Sequence, residues 1–280
     1  MKKTLLVLLG FVLLSASGCR QRGFVYTTNG RTVTITHYAG PGGMVTIPET
    51  INGRPVTRIS DRAFFARDKL ISVTIPNSVT SIGGFAFISC TNLSRVTIGN
   101  GVTKIEDMAF FGCNKLANVT IGKSVASIGN GAFDGCTKLD RLTIPDSVTN
   151  IGDTAFNFCG LTNVTIGNHV TSIGQGAFAD CNLTNVTIPD SVISIGDMAF
   201  SGCVKLIRVM IGKNVTRIGK EAFACGCYAM TGVYFKGNAP SVGSDVFQFA
   251  DDVIVYYLPG TTGWGPTFGG RPTRVWQEDK

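Results

Sequence analysis

The residues with the most capacity for chemistry in this chain are cysteines that recur at a nearly constant spacing. Each lies three residues after a phenylalanine, and they follow one another by 22 or 23 residues: Cys90, Cys113, Cys136, Cys159, Cys181 and Cys203. Such a spacing does not gather ligands into one zinc site. A disulfide needs converging Cβ atoms, whereas equivalent residues of stacked turns point the same way. We therefore predict buried thiols that fill a repeated core position, and no metal or cofactor.

The seventh repeat departs from this pattern. Gly226 stands where the cysteine is expected, and Cys225 and Cys227 flank it. This close pair could form a strained local disulfide or could supply one thiol to the core. The core interpretation is favoured, and the sequence leaves the thiol state of both residues open.

Groups that could act in acid–base or nucleophilic catalysis are few or periodic. The two histidines, His37 and His169, lie in a predicted hairpin and a predicted corner, without partners arranged around them. The serines and acids recur because the repeat recurs: Ser147, Ser191, Asp107, Asp153 and Asp197. Aligned acids of this kind indicate capping groups before a catalytic pair. No catalytic residue is predicted, and the chain is predicted not to be an enzyme.

The element that must position these residues is a repeat of 22 to 24 residues. An Ala-Phe dipeptide marks each repeat, and its phenylalanines are Phe64, Phe87, Phe110, Phe133, Phe156, Phe178, Phe200 and Phe223. A degenerate copy, Val246-Phe247, follows 24 residues later. A fixed period in this range indicates a solenoid whose turns share one core. We predict one elongated domain of stacked coils.

One repeat, from Leu93 to Cys113, shows how a coil should fold. Arg95 to Ile98 alternate polar and apolar residues, which predicts a strand in a parallel sheet. Val102 and Ile105 begin a second short strand. The stretch from Asp107 to Phe110 suits a helical turn capped by the aspartate.

The two ends of the array differ from the repeat and predict caps. Residues 24–38 read as two strands around Asn29-Gly30, a hairpin that covers the first coil. Residues 253–276 form an aromatic, Gly- and Pro-rich stretch that predicts a β-rich second cap. The expected organisation is a signal peptide at 1–18, a linker and hairpin at 19–44, a solenoid at 45–250, and a cap and tail at 251–280.

The first residues have the features of a secretory signal. Lys2 and Lys3 precede an apolar run from Leu5 to Leu14, which is too short to span a bilayer. "ASGC", ending at Cys19, resembles the bacterial lipoprotein signal, in which the cysteine becomes the acylated first residue. The resemblance implies a membrane partner through Cys19 and a place at the cell surface or outer membrane. Ordinary cleavage, which would leave a secreted protein with a free thiol, is the alternative.

The repeated pattern "VTIPxSVxxIGxxAFxxCxxL" resembles the BspA-like leucine-rich repeat family of bacterial cell surfaces. The resemblance covers about residues 45–247. It implies a right-handed solenoid with a parallel sheet on one face, made of short first and second strands and helical turns. It also implies a surface adhesin in some members, while many others have no known ligand.

The outward positions of the first strands form the candidate binding face. The proposed residues lie on two neighbouring ribbons: Arg95, Asn118, Arg141, Asn163, Asn185 and Arg208 on one, and Thr97, Thr120 and Thr143 on the other. Repeat proteins commonly bind through such a face. Solvated strand residues without a ligand are the simpler alternative. A site on the C-terminal cap near Tyr256, Tyr257, Trp264 and Trp276 is a further alternative.

The leading hypothesis is a non-enzymatic, monomeric cell-surface module that binds an extracellular protein or glycan. The alternative is a structural or self-assembling component of the cell envelope. The formal charge of +7 is a mild excess over 280 residues, and two of these charges lie in the predicted signal peptide. The chain has no clustered Lys/Arg run, so nucleic acid is not an expected partner.

Overall fold

The computed structural model describes residues 19–21, 23–224 and 226–277, and within them the chain is a stack of about ten β-coils. The predicted signal peptide and Cys225 lie outside the described residues, and of Cys19 the backbone alone is described. Most coils contribute a first strand and a second strand on opposite sides of one interior. The predicted solenoid with parallel sheets is confirmed.

The first strands run in parallel along one side of the stack. They are β4 (Gly43–Thr46), β7 (Leu70–Ile75), β9 (Arg95–Ile98), β11 (Asn118–Thr120), β13 (Arg141–Thr143), β15 (Asn163–Thr165), β17 (Asn185–Ile188), β19 (Arg208–Ile211), β21 (Gly232–Phe235) and β23 (Ile254–Tyr257). Equivalent residues pair directly, as Val96 does with Val73 and Val119. β23 pairs in the same register with β21, so the stack continues into the C-terminal cap.

The second strands form a continuous ladder on the other side. They are β6 (Arg54–Ile59), β8 (Ser81–Ile82), β10 (Lys104–Ile105), β12 (Ser127–Ile128), β14 (Asn150–Ile151), β16 (Ser172–Ile173), β18 (Ser194–Ile195), β20 (Arg217–Ile218) and β22 (Ser241–Val242). Together with the N-terminal strands they make one sheet, which β5 (Thr50–Ile51) joins by pairing with β6.

Both ends of the stack are covered. At the start, β1 (Cys19–Gln21), β2 (Phe24–Thr28) and β3 (Val33–Tyr38) are antiparallel, and β3 then pairs in parallel with β6. The hairpin confirms the predicted cap, although its loop has four residues, 29–32, where the Asn-Gly pair predicts two. At the other end, β24 (Thr267–Phe268) and β25 (Arg271–Val275) form a hairpin, and β25 pairs with β23.

A column of phenylalanines runs through the shared interior. From Phe87 to Phe223, successive ring centroids lie 5.0–5.4 Å apart with planes within 12° of each other. Tyr38 from the hairpin stacks on Phe64 at one end, and Phe247 stacks on Phe223 at the other. Offset stacking of this kind adds to the gain from burial. The column confirms that equivalent side chains lie above one another.

The predicted helical turn is wrong, and among the described residues no segment forms a helix. Met108 and Gly112 have φ angles of 54° and 69°, which a right-handed helix excludes. The backbone N–H groups of Met108, Phe110 and Gly112 each donate to a carbonyl of the next coil at 2.8 Å. Bonds between coils therefore replace bonds within a helix.

The aspartates at this turn cap the neighbouring coil and not their own. Asp107 Oδ1 accepts a hydrogen bond from the N–H of Asn130, the equivalent residue of the next coil, at 2.8 Å. Asn130 Oδ1 in turn accepts from the N–H of Asp153 at 2.8 Å. The aspartate accepts a hydrogen bond from a backbone N–H group, as predicted. The N–H group belongs to the next coil and not to the aspartate's own turn, because stacking places that group nearer.

Glycine before this turn allows the coils to approach. A Cβ on Gly152 would lie 2.7 Å from the backbone nitrogen of Asn130, closer than real Cβ contacts allow, although φ there is not positive. In one coil, Glu106 occupies the position of this glycine. The coil before it has Gly84 at the position where Asp107, Asn130 and Asp153 stand in other coils. The glycines are a requirement of close packing.

Candidate functional site

The first-strand face presents the predicted residues to solvent. Its arginine ribbon is exposed at every predicted position: Arg95, Asn118, Arg141, Asn163, Asn185 and Arg208. In the threonine ribbon, Thr97 is half-buried, and Thr120 and Thr143 are exposed. The alternate residues, such as Val96 and Leu142, point into the core. The face therefore brings these side chains onto one surface, and their role in binding stays a prediction.

The sheet beneath this face is interrupted at two places. β11 does not pair with β13, and β15 does not pair with β17, so the first strands divide into groups of four, two and four, and the last group is extended by β25 and β24. Side chains under the interruptions are less well covered. Val119 is only partly buried and Val164 is 8% exposed, whereas Val96 and Val209 are fully buried. The coils thus separate here enough to lose the backbone ladder on this side.

An open depression lies over each interruption. The first, of about 530 Å³, is lined by β11, β13 and β15 and has Lys123 and Arg141 at its margin. The second, of about 590 Å³, spans β13, β15 and β17 and continues along the same face. Its polar lining comes from Asn163, Asn185, Asn168 and the threonines of the ribbon, with the carboxylate of Asp146 at the corner. The two share Thr143, Asn163 and Thr165, so they form one trough.

The threonine ribbon ends in aromatic residues toward the C terminus. Met210 pairs with Tyr234, and Tyr234 with Tyr256. The two tyrosine rings stack with centroids 4.6 Å apart and planes 8° apart. The guanidinium of Arg208 lies 4.6 Å from the centre of the Tyr234 ring, a cation–π contact. Trp276 meets the same ring edge-on at 5.3 Å.

The aromatic residues of the C-terminal cap divide between two surroundings. Tyr256 and Trp276 lie on the first-strand face beside Tyr234. The sequence analysis did not propose Tyr234 as a candidate binding residue. Trp264 and Tyr257 instead stack on each other at 5.0 Å, and Trp264 also packs against Phe235 and Phe268. These belong to the closure of the core. Tyr234 holds the position that Thr187 holds two coils earlier, so following this position along the repeat would have found it.

The cysteine column is part of the core. The six thiols from Cys90 to Cys203 are free and almost fully buried, which confirms the predicted core role. Each donates to the carbonyl of the preceding coil's phenylalanine, as Cys113 does to Phe87 at 3.2 Å. Burial raises the pKa of Cys136 and Cys181 well above the ordinary value. Cys227 is also buried, with Sγ 3.5 Å from the Phe200 oxygen.

The other candidate chemical groups have structural partners. Ser147 and Ser191 each donate to a backbone carbonyl of the preceding coil at 2.7 Å. His169 Nδ1 lies 3.0 Å from the Asp146 carbonyl oxygen, and His37 lies 2.7 Å from an Arg67 nitrogen. Within the described ranges, no three His, Cys, Asp or Glu residues are grouped as a metal site would require.

Among the residues that the structure describes, there is no helix long and apolar enough to cross a bilayer.

A stack of short parallel strands around a column of aligned side chains defines a leucine-rich repeat β-solenoid. The sequence pattern of the BspA type Leucine rich repeat region (6 copies) matches residues 57–182 and 149–261. The chain therefore belongs to the BspA-type leucine-rich repeat family. The resemblance drawn from the sequence is confirmed.

Solved structures of bacterial proteins share the fold. A leucine rich cell surface protein from Faecalibacterium prausnitzii is 31% identical, with a TM-score of 0.66, over 85% of this chain and 75% of that one. A leucine-rich repeat protein from Bacteroides ovatus is 26% identical, with a TM-score of 0.68, over 85% and 70%. The T. pallidum Leucine Rich Repeat protein is 31% identical, with a TM-score of 0.57, over 76% and 90%. No curated protein matches the chain.

Proposed function

We propose that this chain is a non-enzymatic binding module of the bacterial cell surface that recognises an extracellular protein or glycan through its first-strand face. The observation that carries the proposal is the face itself: exposed polar ribbons, a trough over two interruptions of the sheet, and a cluster of aromatic rings at one end. A rigid stacked core holds these groups in place, and such preorganisation lowers the entropic cost of binding.

The surface location has its own support. The similar protein from Faecalibacterium prausnitzii is described as a cell surface protein. We place this chain at the cell surface or outer membrane, tethered by acyl chains on Cys19, since stable anchoring takes more than one chain. The intact mass of the exported protein tests the tether. A mass that corresponds to cleavage without acylation would make the protein secreted.

The alternative of self-assembly finds less support, because both ends of the stack are covered. The N-terminal hairpin places Tyr38 over the phenylalanine column, and the C-terminal hairpin pairs with β23. Each hairpin thereby occupies one strand edge at its end of the stack, that of β6 at the start and that of β23 at the other end, which reduces the edge available for end-to-end assembly. We expect a monomer whose apparent mass does not change with concentration.

A binding screen tests the assigned face. The purified chain is presented to extracellular matrix proteins, plasma proteins and glycans, beside a variant with Arg95→Ala, Arg141→Ala and Arg208→Ala. At least one ligand should lose about tenfold or more in affinity, roughly 1.4 kcal/mol. The matched control replaces Arg58, Lys104 and Arg217, which lie on the second-strand side, and should bind normally. Equal binding by both variants would reject the face, and the lack of any ligand would reject the function.

A further inference from the structure

The charged residues of the solenoid separate by their position in the repeat. The first strands and the corners on either side of them carry mainly cations: Lys69, Arg95, Lys115, Lys123, Lys138, Arg141, Lys205, Arg208 and Lys213. The acids on this side of the solenoid are fewer: Glu49, Asp68, Asp140, Asp146 and Asp190. The second strands and the turns that follow carry the acids Asp61, Glu106, Asp107, Asp134, Asp153, Asp180, Asp197, Glu221 and Asp245. They also carry the cations Arg54, Arg58, Arg62, Lys104, Arg217 and Lys220. The first-strand side therefore has a clear excess of cations and forms a basic face, whereas the opposite side has only a small excess of acids.

Ion pairing leaves most cations of the basic face without a carboxylate partner. On the second-strand side, Lys104 lies 2.7 Å from Glu106, Lys220 lies 3.0 Å from Glu221, and Arg58 lies 3.7 Å from Asp61. On the first-strand side, Arg141 lies 3.6 Å from Asp140 and Lys213 lies 3.8 Å from Asp190. Within the described part of the chain, no carboxylate lies within 4.0 Å of the remaining seven cations: Lys69, Arg95, Lys115, Lys123, Lys138, Lys205 and Arg208. The basic face therefore retains charge for a ligand.

The trough lies along the centre of this basic face. Lys123 and Arg141 stand at its N-terminal end, and the amides of Asn163, Asn185 and Asn168 follow. The one acid of this lining, Asp146, accepts a hydrogen bond from the backbone N–H of Asn168 at 2.7 Å. These amides offer both donors and acceptors, and the threonine hydroxyls beside them do the same. Between Thr120 and Thr187 the outward positions of the two ribbons hold no aromatic or large apolar side chain. A protein partner would find no anchor of the kind that dominates protein interfaces here.

The aromatic cluster lies in line with the trough. From Thr120 to Tyr256 the ribbon rises six rungs, about 29 Å at about 4.8 Å per rung. Arg208, Tyr234 and Tyr256 follow the last polar rungs, and both tyrosines are half-buried with part of their surface open. An aromatic ring beside polar groups suits a ligand with one apolar face and a hydroxylated edge, as a sugar ring has.

From these observations we infer that the first-strand face binds a linear acidic polysaccharide, one whose sugars carry carboxylate or sulfate groups. This inference rests on the proposed binding function of the same face. The chain lies along the trough, with anionic groups near Lys123 and Arg141, where Arg can bind a carboxylate through two hydrogen bonds. Its hydroxyls meet the asparagines and threonines, and a sugar ring at the far end stacks against Tyr256.

Calorimetric titration of the purified full chain tests this inference. The probes are oligosaccharides of polygalacturonate and of heparin, with dextran oligosaccharides as the neutral sugar. Polyglutamate and a single-stranded DNA oligonucleotide serve as anions without the sugar chain. An acidic oligosaccharide should bind at least about tenfold more tightly than dextran and polyglutamate, and its affinity should fall as ionic strength rises.

Two variants separate charge from sugar recognition. Lys123→Gln with Arg141→Gln should weaken the acidic oligosaccharide about tenfold or more, while Lys104→Gln with Arg217→Gln on the opposite side should leave it unchanged. Tyr256→Ala should weaken the acidic oligosaccharide and leave the weak binding of polyglutamate as it is. Tyr256→Phe keeps the ring and should restore affinity, which distinguishes stacking from a loss of folding.

The outcomes also separate this inference from the function on which it rests. If polyglutamate or DNA binds as tightly as the oligosaccharides, and Tyr256→Ala has no effect, the face recognises charge alone and the polysaccharide is the wrong ligand. If no acidic oligosaccharide binds while the arginine variant still abolishes binding of a protein, the inference fails and the proposed function stands.

Discussion

The buried thiol column predicts an unusual pH dependence for a single substitution, Cys136→Ala. The Cys136 thiol is fully buried and donates to the Phe110 carbonyl at 3.5 Å. At neutral pH its removal leaves a small cavity and should lower the free energy of unfolding by about 1 to 2 kcal/mol. Burial raises the pKa of this thiol far above its ordinary value of 9.0, and the Cys159 and Cys113 thiols raise it further.

The sign of the pH effect follows from proton linkage. Below pH 9 the thiol is protonated in both the folded and the unfolded chain, and it makes no pH-dependent contribution. Above pH 9 the unfolded chain releases the proton while the folded chain keeps it, so stability falls as pH rises. At pH 10 the loss is between about 1 and 2 kcal/mol for this thiol. The Cys136→Ala variant has no thiol to ionise at this position. The difference in the free energy of unfolding between the parent protein and the variant should therefore shrink toward zero at pH 10.

Urea unfolding of both proteins at pH 7, 8, 9 and 10, with a reductant present, measures this convergence. Val148→Ala removes apolar volume from the same interior without removing a thiol, and its penalty should be the same at every pH. A Cys136→Ala penalty that is equally large at pH 7 and pH 10 would show that the thiol ionises as easily in the folded protein as in the unfolded chain. The conclusion that the cysteine column is sealed from solvent would then be wrong.

Two further predictions concern the contact between coils. Gly152→Ala should lower the free energy of unfolding by about 1 to 3 kcal/mol in urea titrations, since its Cβ would meet the backbone of the preceding coil; Gly84→Ala, whose Cβ would lie at an ordinary 3.4 Å from the Asp107 oxygen, should cost less. Equal penalties would contradict close approach as the reason for the glycine. In hydrogen exchange, backbone amides of β13 and β17 should exchange faster than those of β9 and β19, because each follows an interruption of the ladder. Uniform protection across the four strands would mean that the interruptions close in solution.

The sequence predicts the features that every coil shares. The spacing of Phe87 and Phe110, the alternation around Val96 and the recurring thiols report the core, and a core position must be filled the same way in each coil. The turn at Asp107 was predicted wrongly because an Asp followed by Ala and Phe is locally compatible with a helix. Local propensity cannot show that the neighbouring coil offers the carbonyls and N–H groups that the turn uses instead.

Features that differ between coils were harder to predict. The interruptions follow Asn118 and Asn163, yet one adjoins a step of 23 residues and the other a step of 22. Repeat length therefore does not mark the interruptions. The segregation of charge was legible in the sequence, since Lys115 and Lys138 share one phase of the repeat. A net charge for the whole chain conceals it.

The interrupted sheet is compatible with a stable stack because the first-strand ladder is one of several contacts between coils. Across the gap between β15 and β17, Ser172 and Ile173 still pair with the next second strand, and Phe178 still stacks on Phe200 at 5.3 Å. The Cys203 thiol still donates to the Phe178 carbonyl at 3.2 Å. These contacts lie in the core and on the second-strand side, so the first-strand side can open without separating the coils. Groups that no longer bond to each other are then available to a ligand, and the part of the fold that holds them in place does not depend on whether a ligand is bound.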